Sequence, residues 1–244
     1  MKYTYFAGRN SKEILRDPLS LILAGVLPVV FIILFSIISR NVPMEVFQPV
    51  NIVPGLTVFG FTFIAMSLGL LIAKDKSSSF LTRLFISPLK ARDFILGYFI
   101  PVLPMAAIIA VSCLITGLFV GIPLSAKLFY TFLSYIPFVL FSGFFGIFLG
   151  ITCRETQVLA VGNIYIIAST LLGGAWMDLR IMGETIRKIT DLLPFSHAIE
   201  ASRIVLSGRP DDTWGHLGVV CLYALVFFIL AVIFFRRKMR SDNK

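Results

Sequence analysis

The sequence predicts an all-α membrane protein of six transmembrane helices, and three observations carry that prediction. The chain of 244 residues is 57% hydrophobic and 14% charged, with a mean hydropathy of +0.91; soluble domains sit near one quarter charged. Its apolar residues fall in runs of about 20, the length that crosses a hydrocarbon core of about 30 Å as a helix. None of these runs holds Asp, Glu, Lys or Arg in its middle, where a charge is costly.

The runs are residues 19–38, 52–73, 94–120, 128–152, 157–176 and 217–235. Together they make a single transmembrane domain over 1–244, with both termini on one side because the number of spans is even. Of the 22 Lys and Arg, only Arg40, Lys127, Arg180, Arg187, Lys188, Arg203 and Arg209 fall on the opposite side. The acidic residues divide almost evenly, so the net charge of +9 gathers on the side of the termini. The positive-inside rule then puts both termini in the cytoplasm. The basic surplus is accounted for by topology, and no nucleic-acid partner is expected.

Residues 1–18 read as a cytoplasmic segment lying along the interface. It ends in Arg16-Asp17-Pro18, where Asp17 suits a helix cap and Pro18 the first helical position, leaving Arg16 at headgroup level. The first span follows a polar stretch and has no small-residue cleavage site after it, so it reads as retained rather than as a signal core. Pro28, Pro101, Pro104 and Pro137 punctuate spans 1, 3 and 4, which is tolerated where neighbouring helices satisfy the freed carbonyls. Gly143, Gly146 and Gly150 along span 4 allow close helix approach. Cys113, Cys153 and Cys221 lack metal or disulfide spacing and read as small packing residues.

The loop 74–93, "KDKSSSFLTRLFISPLKARD", is cytoplasmic and basic yet keeps Phe80, Leu81, Leu84 and Phe85. Ser77, Ser78 or Ser79 can cap a short helix that puts those four on one face. Ser87-Pro88 ends it and starts the next element. Such a face suits a groove on a partner protein or the lipid interface equally. Between spans 5 and 6, residues 177–213 form an apolar hairpin on the outer side. One amphipathic helix runs up to Pro194 and a second begins at Phe195 or Ser196, dipping into the interface or re-entering it. Residues 236–244 are a basic cytoplasmic tail.

Several chemistries are excluded. Ion-coupled transport needs titratable groups at depth, and the spans have none. The only histidines, His197 and His216, lie at the outer surface without a second ligand at metal spacing. No GxxxxGK[ST] occurs, so the chain holds no P-loop, and an active pump would draw its energy from another polypeptide.

The segment "KDKSSSFLTRLFISPLKARDFILGYF" resembles the signature region of the ABC transporter type-2 permeases, with Leu84, Ser87, Pro88, Leu89 and Gly97 matching. "KEILRDP" (residues 12–18), the Gly173-Gly174 ending of span 5, and Pro194, Phe195, Ser196, His197, Ala198, Glu200 and Arg203 match in the family's order. The chain departs from the family at Asp75-Lys76 and the serine triplet, where a Glu is usual, and at Trp176-Met177-Asp178, where a Pro is usual.

The resemblance implies the permease subunit of an ATP-driven exporter. Two ABC ATPase subunits would bind the ATP and Mg, so this chain would carry no cofactor, no metal and no catalysis of its own. A second, identical permease subunit would complete the pathway, in the lipid bilayer of a bacterial or archaeal cytoplasmic membrane. Ser79, Phe80, Leu81, Arg83, Leu84, Phe85 and Pro88 would form the ATPase-coupling helix, with Arg16, Asp17 and Pro18 touching the same partner. Along the dimer interface, Thr62, Ser67, Asn163, Ser169 and Thr170 would line the translocation pathway. Gly173, Gly174, Pro194, His197, Glu200 and Arg203 would form the outer gate. Spans rich in Phe and Met suit an apolar or amphiphilic substrate: drug-like, lipid or glycolipid. Two other readings compete: an ATP-independent channel or facilitator, and a membrane-anchored assembly subunit whose outer helices bind a partner.

Overall fold

The computed structural model describes residues 2–42, 45–78, 91–177, 183–208 and 213–241, and the regular structure among them is all helical. Among the described residues, six helices are long and apolar enough to cross a membrane: Ile22–Asn41, Pro49–Ser77, Arg92–Phe119, Ala126–Thr152, Glu155–Leu172 and Thr213–Lys238, here spans 1 to 6. The end of the bundle holding the two ends of the chain is the basal end; the other is the far end. An N-terminal helix, Lys2–Leu15, packs against spans 2 and 3 at the basal end. Two shorter helices, Glu184–Thr190 and Pro194–Ser207, lie at the far end.

Span 2 is the hub. Every residue from Ile52 to Ala65 is buried, and spans 1, 3, 4 and 5 and the helix Pro194–Ser207 all pack on it. Small residues permit this enclosure. A Cβ at Gly146 would lie 2.6 Å from the Ala65 carbonyl oxygen, and one at Gly150 would lie 2.5 Å from the Ile72 Cβ. Spans 2 and 4 therefore touch backbone to backbone, the geometry that small residues give membrane helices. On the opposite flank, Gly60 faces the Ala24 carbonyl oxygen and Pro28 of span 1.

The prolines leave the irregularities expected of a missing N–H. Span 1 contains a π-helical turn at Ile22–Val26 just before Pro28, the wider spacing that absorbs a broken ladder. Span 3 is split between Ala91–Phe99 and Val102–Phe119, at Pro101. Span 4 is split between Ala126–Ser134 and Ile136–Thr152, just ahead of Pro137.

Three boundaries differ from the sequence reading. Span 2 continues through Ser77, so Lys74, Asp75 and Lys76 form its last helical turns rather than a loop. Span 5 ends at Leu172, and residues 173–177 leave it as a turn. The helix of span 6 continues to Ser241, so the described part of the tail is helical. Cys113 is buried as expected, whereas Cys153 is partly exposed and Cys221 exposed.

Candidate functional site

The basal end is organised by the last turns of span 2. Asp75 is buried, 3% exposed. Arg9 of the N-terminal helix meets it with both terminal guanidinium nitrogens, Nη1 and Nη2, at 2.5 and 2.7 Å, and the Tyr98 hydroxyl of span 3 donates to it at 2.6 Å. A carboxylate buried this deeply is stable as an anion only with such donors around it. The hydrogen bond to Asp75 in turn raises the Arg9 pKa above its ordinary value. One residue on, the buried Asn10 amide donates to the Gly97 carbonyl at 3.0 Å. The Phe6 ring meets Tyr98 edge-on at 4.8 Å, and Gly97 is what lets it in: a Cβ there would lie 2.1 Å from that ring.

Lys76 ties span 2 to span 4. Its Nζ donates to the carbonyls of Gly150, Ile151 and Cys153, at 3.0, 3.1 and 2.5 Å. These are the orphan acceptors at the C-terminal end of span 4, where a cation also suits the helix dipole. Ser77 donates to Glu155, in the first turn of span 5, at 2.5 Å. Three consecutive residues, Asp75 to Ser77, thus bind the N-terminal helix and spans 3, 4 and 5. The chain then enters segment 79–90. The coupling residues Ser79, Phe80, Leu81, Arg83, Leu84, Phe85 and Pro88 lie there, outside the described residues. Among the residues proposed to share that partner, Pro18 opens the helical turn Pro18–Leu21 as expected. Asp17 provides its first acceptor, a backbone carbonyl bonded by the Leu21 N–H at 3.3 Å. Arg16 is exposed, 4.0 Å from Glu13.

At the far end, residues 173–177 form a strap. Gly174 has φ +68°, in the left-handed region where glycine is at ease. Ala175 is fully buried, and its carbonyl oxygen would lie 2.5 Å from a Cβ at Gly55. Arg203 holds the strap from the helix Pro194–Ser207. Its Nη2 donates to the Gly174 carbonyl at 2.7 Å and its Nε to the Asn51 carbonyl at the start of span 2 at 3.0 Å. Trp176, next on the strap, lies over Phe31 and Phe35 of span 1 and Phe59 of span 2, with ring centroids at 5.3, 5.8 and 5.9 Å.

Arg203 and Gly174, two of the predicted gate residues, are therefore in direct contact. Gly173 leads into the strap, while Pro194, His197 and Glu200 share the helix of Arg203. The His197 and His216 rings meet through their Nδ1 atoms at 2.7 Å, and His197 Nε2 lies 2.8 Å from the Asp191 carbonyl oxygen. A carbonyl only accepts, so Nε2 carries the proton, and in the neutral ring Nδ1 accepts from His216. Sequence spacing did not pair these two, because they sit on different helices 19 positions apart.

Removing the Arg203 guanidinium leaves two carbonyls without a charge-assisted donor, which costs about 1.5–3 kcal/mol. Arg203→Ala is expected to lower the melting temperature of the detergent-solubilised protein. Arg203→Lys, lacking the fork that reaches both carbonyls, should recover only part. A parent-like melting curve for the alanine variant would contradict this assignment.

The predicted pathway residues divide. Thr62 is buried and donates to the Phe59 carbonyl at 2.6 Å. Ser169 and Thr170 are buried and both donate to the Ile166 carbonyl, at 2.9 and 2.6 Å. Bonding to their own helix in this way is common for hydroxyls in spans. The Ser67 Oγ is enclosed without a hydrogen-bond partner among the described residues. Asn163 alone is exposed. It lies on the outward face of span 5, near Leu159, Ile164, Ile167 and Leu171, all 40% exposed or more. Among the described residues, no group of three or more His, Cys, Asp or Glu is arranged to hold a metal ion.

Comparison with known proteins places this geometry in a family context. A family model described as ABC-2 family transporter protein matches residues 46–233. A chain of Cyanophora paradoxa named as a transport permease, ycf38, is 26% identical over 234 residues, covering 90% of this chain and 77% of that one. A Bacillus subtilis chain named as a transport permease, YvfS, is 22% identical over 240 residues, covering 94% and 95%. Nodulation protein J of Neorhizobium galegae is 31% identical over 70 residues, and that match spans only 27% of its length.

Proposed function

This chain belongs to the ABC-2 transporter family, and from that membership we propose that it is the membrane half of an ATP-driven exporter. Its place as a transmembrane permease subunit follows from the family; direction, cargo and assembly are the proposal. The observation that carries it is the basal cluster. Asp75, Lys76 and Ser77 fasten span 2 to four neighbouring elements, immediately before segment 79–90. A push on that segment by an ATPase would reach the N-terminal helix and spans 3, 4 and 5 together. Transmission of this kind requires the bundle to switch between discrete packings.

Two ATPase subunits supply ATP, Mg and hydrolysis, and Ser79, Phe80, Leu81, Arg83, Leu84, Phe85 and Pro88 dock the permease on them. The basic surplus on the side of the termini supports a cytoplasmic position for both, and on this reading the protein works in a bacterial or archaeal cytoplasmic membrane. Asn163 supports a second, identical permease subunit. An amide on an outward apolar face is expensive to leave in hydrocarbon. Across a two-fold axis the same amide of a second copy offers it both a donor and an acceptor. The faces so brought together are apolar, as a drug-like, lipid or glycolipid cargo requires.

The test is co-purification from native membranes. The parent chain is expected to carry an ABC ATPase with it. Leu84→Asp, a charge on the proposed docking face, should reduce the recovered ATPase at least about tenfold, the effect of losing 1.4 kcal/mol, while the permease keeps its melting temperature. Transport by the chain alone in ATP-free vesicles under an ion gradient would overturn the reading.

A further inference from the structure

Trp176 enters the sequence only as a departure from the family pattern, yet at the far end its ring lies against two spans. Residues 173–175 of the strap attach it to span 5. Its ring meets Phe31 and Phe35 of span 1 and Phe59 of span 2. The cluster extends on both sides: Phe47 stacks on Phe35 at 5.4 Å, and Phe63 meets Phe59 edge-on at 5.3 Å. One indole thus bridges three spans, two of which, 2 and 5, bear the residues of the proposed route.

The strap and the ring are held differently. The backbone is pinned, by Arg203 on the Gly174 carbonyl and by Ala175 against Gly55. The ring rests on the core through tilted and edge-on aromatic contacts, whose geometry is directional. Trp176 itself is partly exposed, while Phe59 beneath it is 6% exposed. Gly173 and Gly174 precede it, and Gly174 sits at φ +68°. The arrangement is a cover on a fixed hinge.

We propose that Trp176 is the far-side gate of the transporter. Seated on Phe31, Phe35 and Phe59 it closes the route, and binding of ATP by the partner subunits lifts it to release cargo. The proposal rests on the exporter reading and adds to it the residue that must move. It also bears on cargo: a ring-bearing or acyl molecule can replace the indole against the phenyl faces as it leaves, whereas an ion cannot.

The chain has two tryptophans, Trp176 and Trp214. Trp214→Phe therefore makes Trp176 the single indole emitter of the permease, provided the ATPase tryptophans are replaced as well. In the permease–ATPase complex reconstituted into vesicles, the acrylamide quenching constant of Trp176 is expected to rise about twofold when ATP is trapped with vanadate. A second measurement uses Phe59→Cys in a chain whose three native cysteines are replaced by alanine. A membrane-impermeant maleimide added from the far side should label it slowly at rest and at least about tenfold faster with ATP trapped. Adding Trp176→Ala should make labelling fast without nucleotide, and Trp176→Phe, which restores a ring, should make it slow again. An unchanged quenching constant, or labelling that ignores both ATP and Trp176→Ala, in a complex that hydrolyses ATP overturns the gate and leaves the exporter reading intact. Absence of any ATPase in the purified complex overturns the exporter reading, and the gate with it.

Discussion

Arg9→Met is expected to lower the unfolding free energy of the protein by about 3 kcal/mol, the low end of the cost of stranding a buried charge. Asp75 would remain buried with Tyr98 as its one side-chain donor among the described contacts. The low end applies because the Arg9 side chain is 36% exposed, so solvent already screens part of the attraction. Asp75→Asn should cost less, about 1–2 kcal/mol, because the released guanidinium can turn to water. The informative variant is the double one. With both charges gone nothing is stranded, and the loss should fall well short of the sum of the single losses. Denaturant titrations of the three variants and the parent in one detergent give the coupling energy directly. Additive losses would show that Arg9 and Asp75 do not act as a pair.

Gly146→Leu is expected to be the most damaging single change in the transmembrane core. The first added atom would stand 2.6 Å from the Ala65 carbonyl oxygen and 3.0 Å from its Cα. Those atoms are backbone, so no rotamer change relieves the clash, and spans 2 and 4 must move apart along their whole contact. Overpacking costs about 1–3 kcal/mol where side chains can give way; here the cost should exceed that range and remove most folded protein from the membrane. Gly218→Ala is the matched control. It lies within span 6 with nothing within 4 Å of its would-be Cβ, and the gain in helix propensity makes it neutral or stabilising by about 0.5–1 kcal/mol. Fluorescence-detected size-exclusion profiles of the two variants should diverge sharply. Similar monodisperse peaks would mean that spans 2 and 4 are not in close contact.

Much of this architecture is legible in the sequence because the bilayer imposes it. A run of about 20 apolar residues has one structural solution in hydrocarbon, so the six spans are found without tertiary information. Proline positions also mark where spans 1, 3 and 4 depart from regularity. The interior of the site is less legible, for two reasons. Arg9 and Asp75 are 66 positions apart, and His197 and His216 occupy different helices, so no local spacing signals either contact. The Lys74–Asp75–Lys76 cluster does show in the sequence, but a charge-dense stretch reads as loop. It is helical here because the two charges that face inward find partners, Asp75 in Arg9 and Tyr98 and Lys76 in the end of span 4, while Lys74 is exposed. Trp176 was visible only as a departure from the family pattern. Its role as a cover depends on Phe31, Phe35 and Phe59, far from it along the chain. Thr62, Ser169 and Thr170 mark the reverse limit, since a hydroxyl in a span reads the same whether it faces a route or its own backbone.

The enclosure of span 2 has a consequence for biosynthesis. Its small-residue flank at Ala65 and Gly69 is shaped to receive span 4. That partner is complete only at Thr152, some 75 residues after Ser77. At ribosomal speeds of roughly 5–20 residues per second, the nascent chain spends about 4–15 s with that flank bare to lipid. The embedded Arg9–Asp75 pair, by contrast, needs only the first three spans. The order of emergence therefore lets the lower anchor set before the hub closes, and nascent chains that stall before Thr152 present a half-built helix pair to membrane proteases.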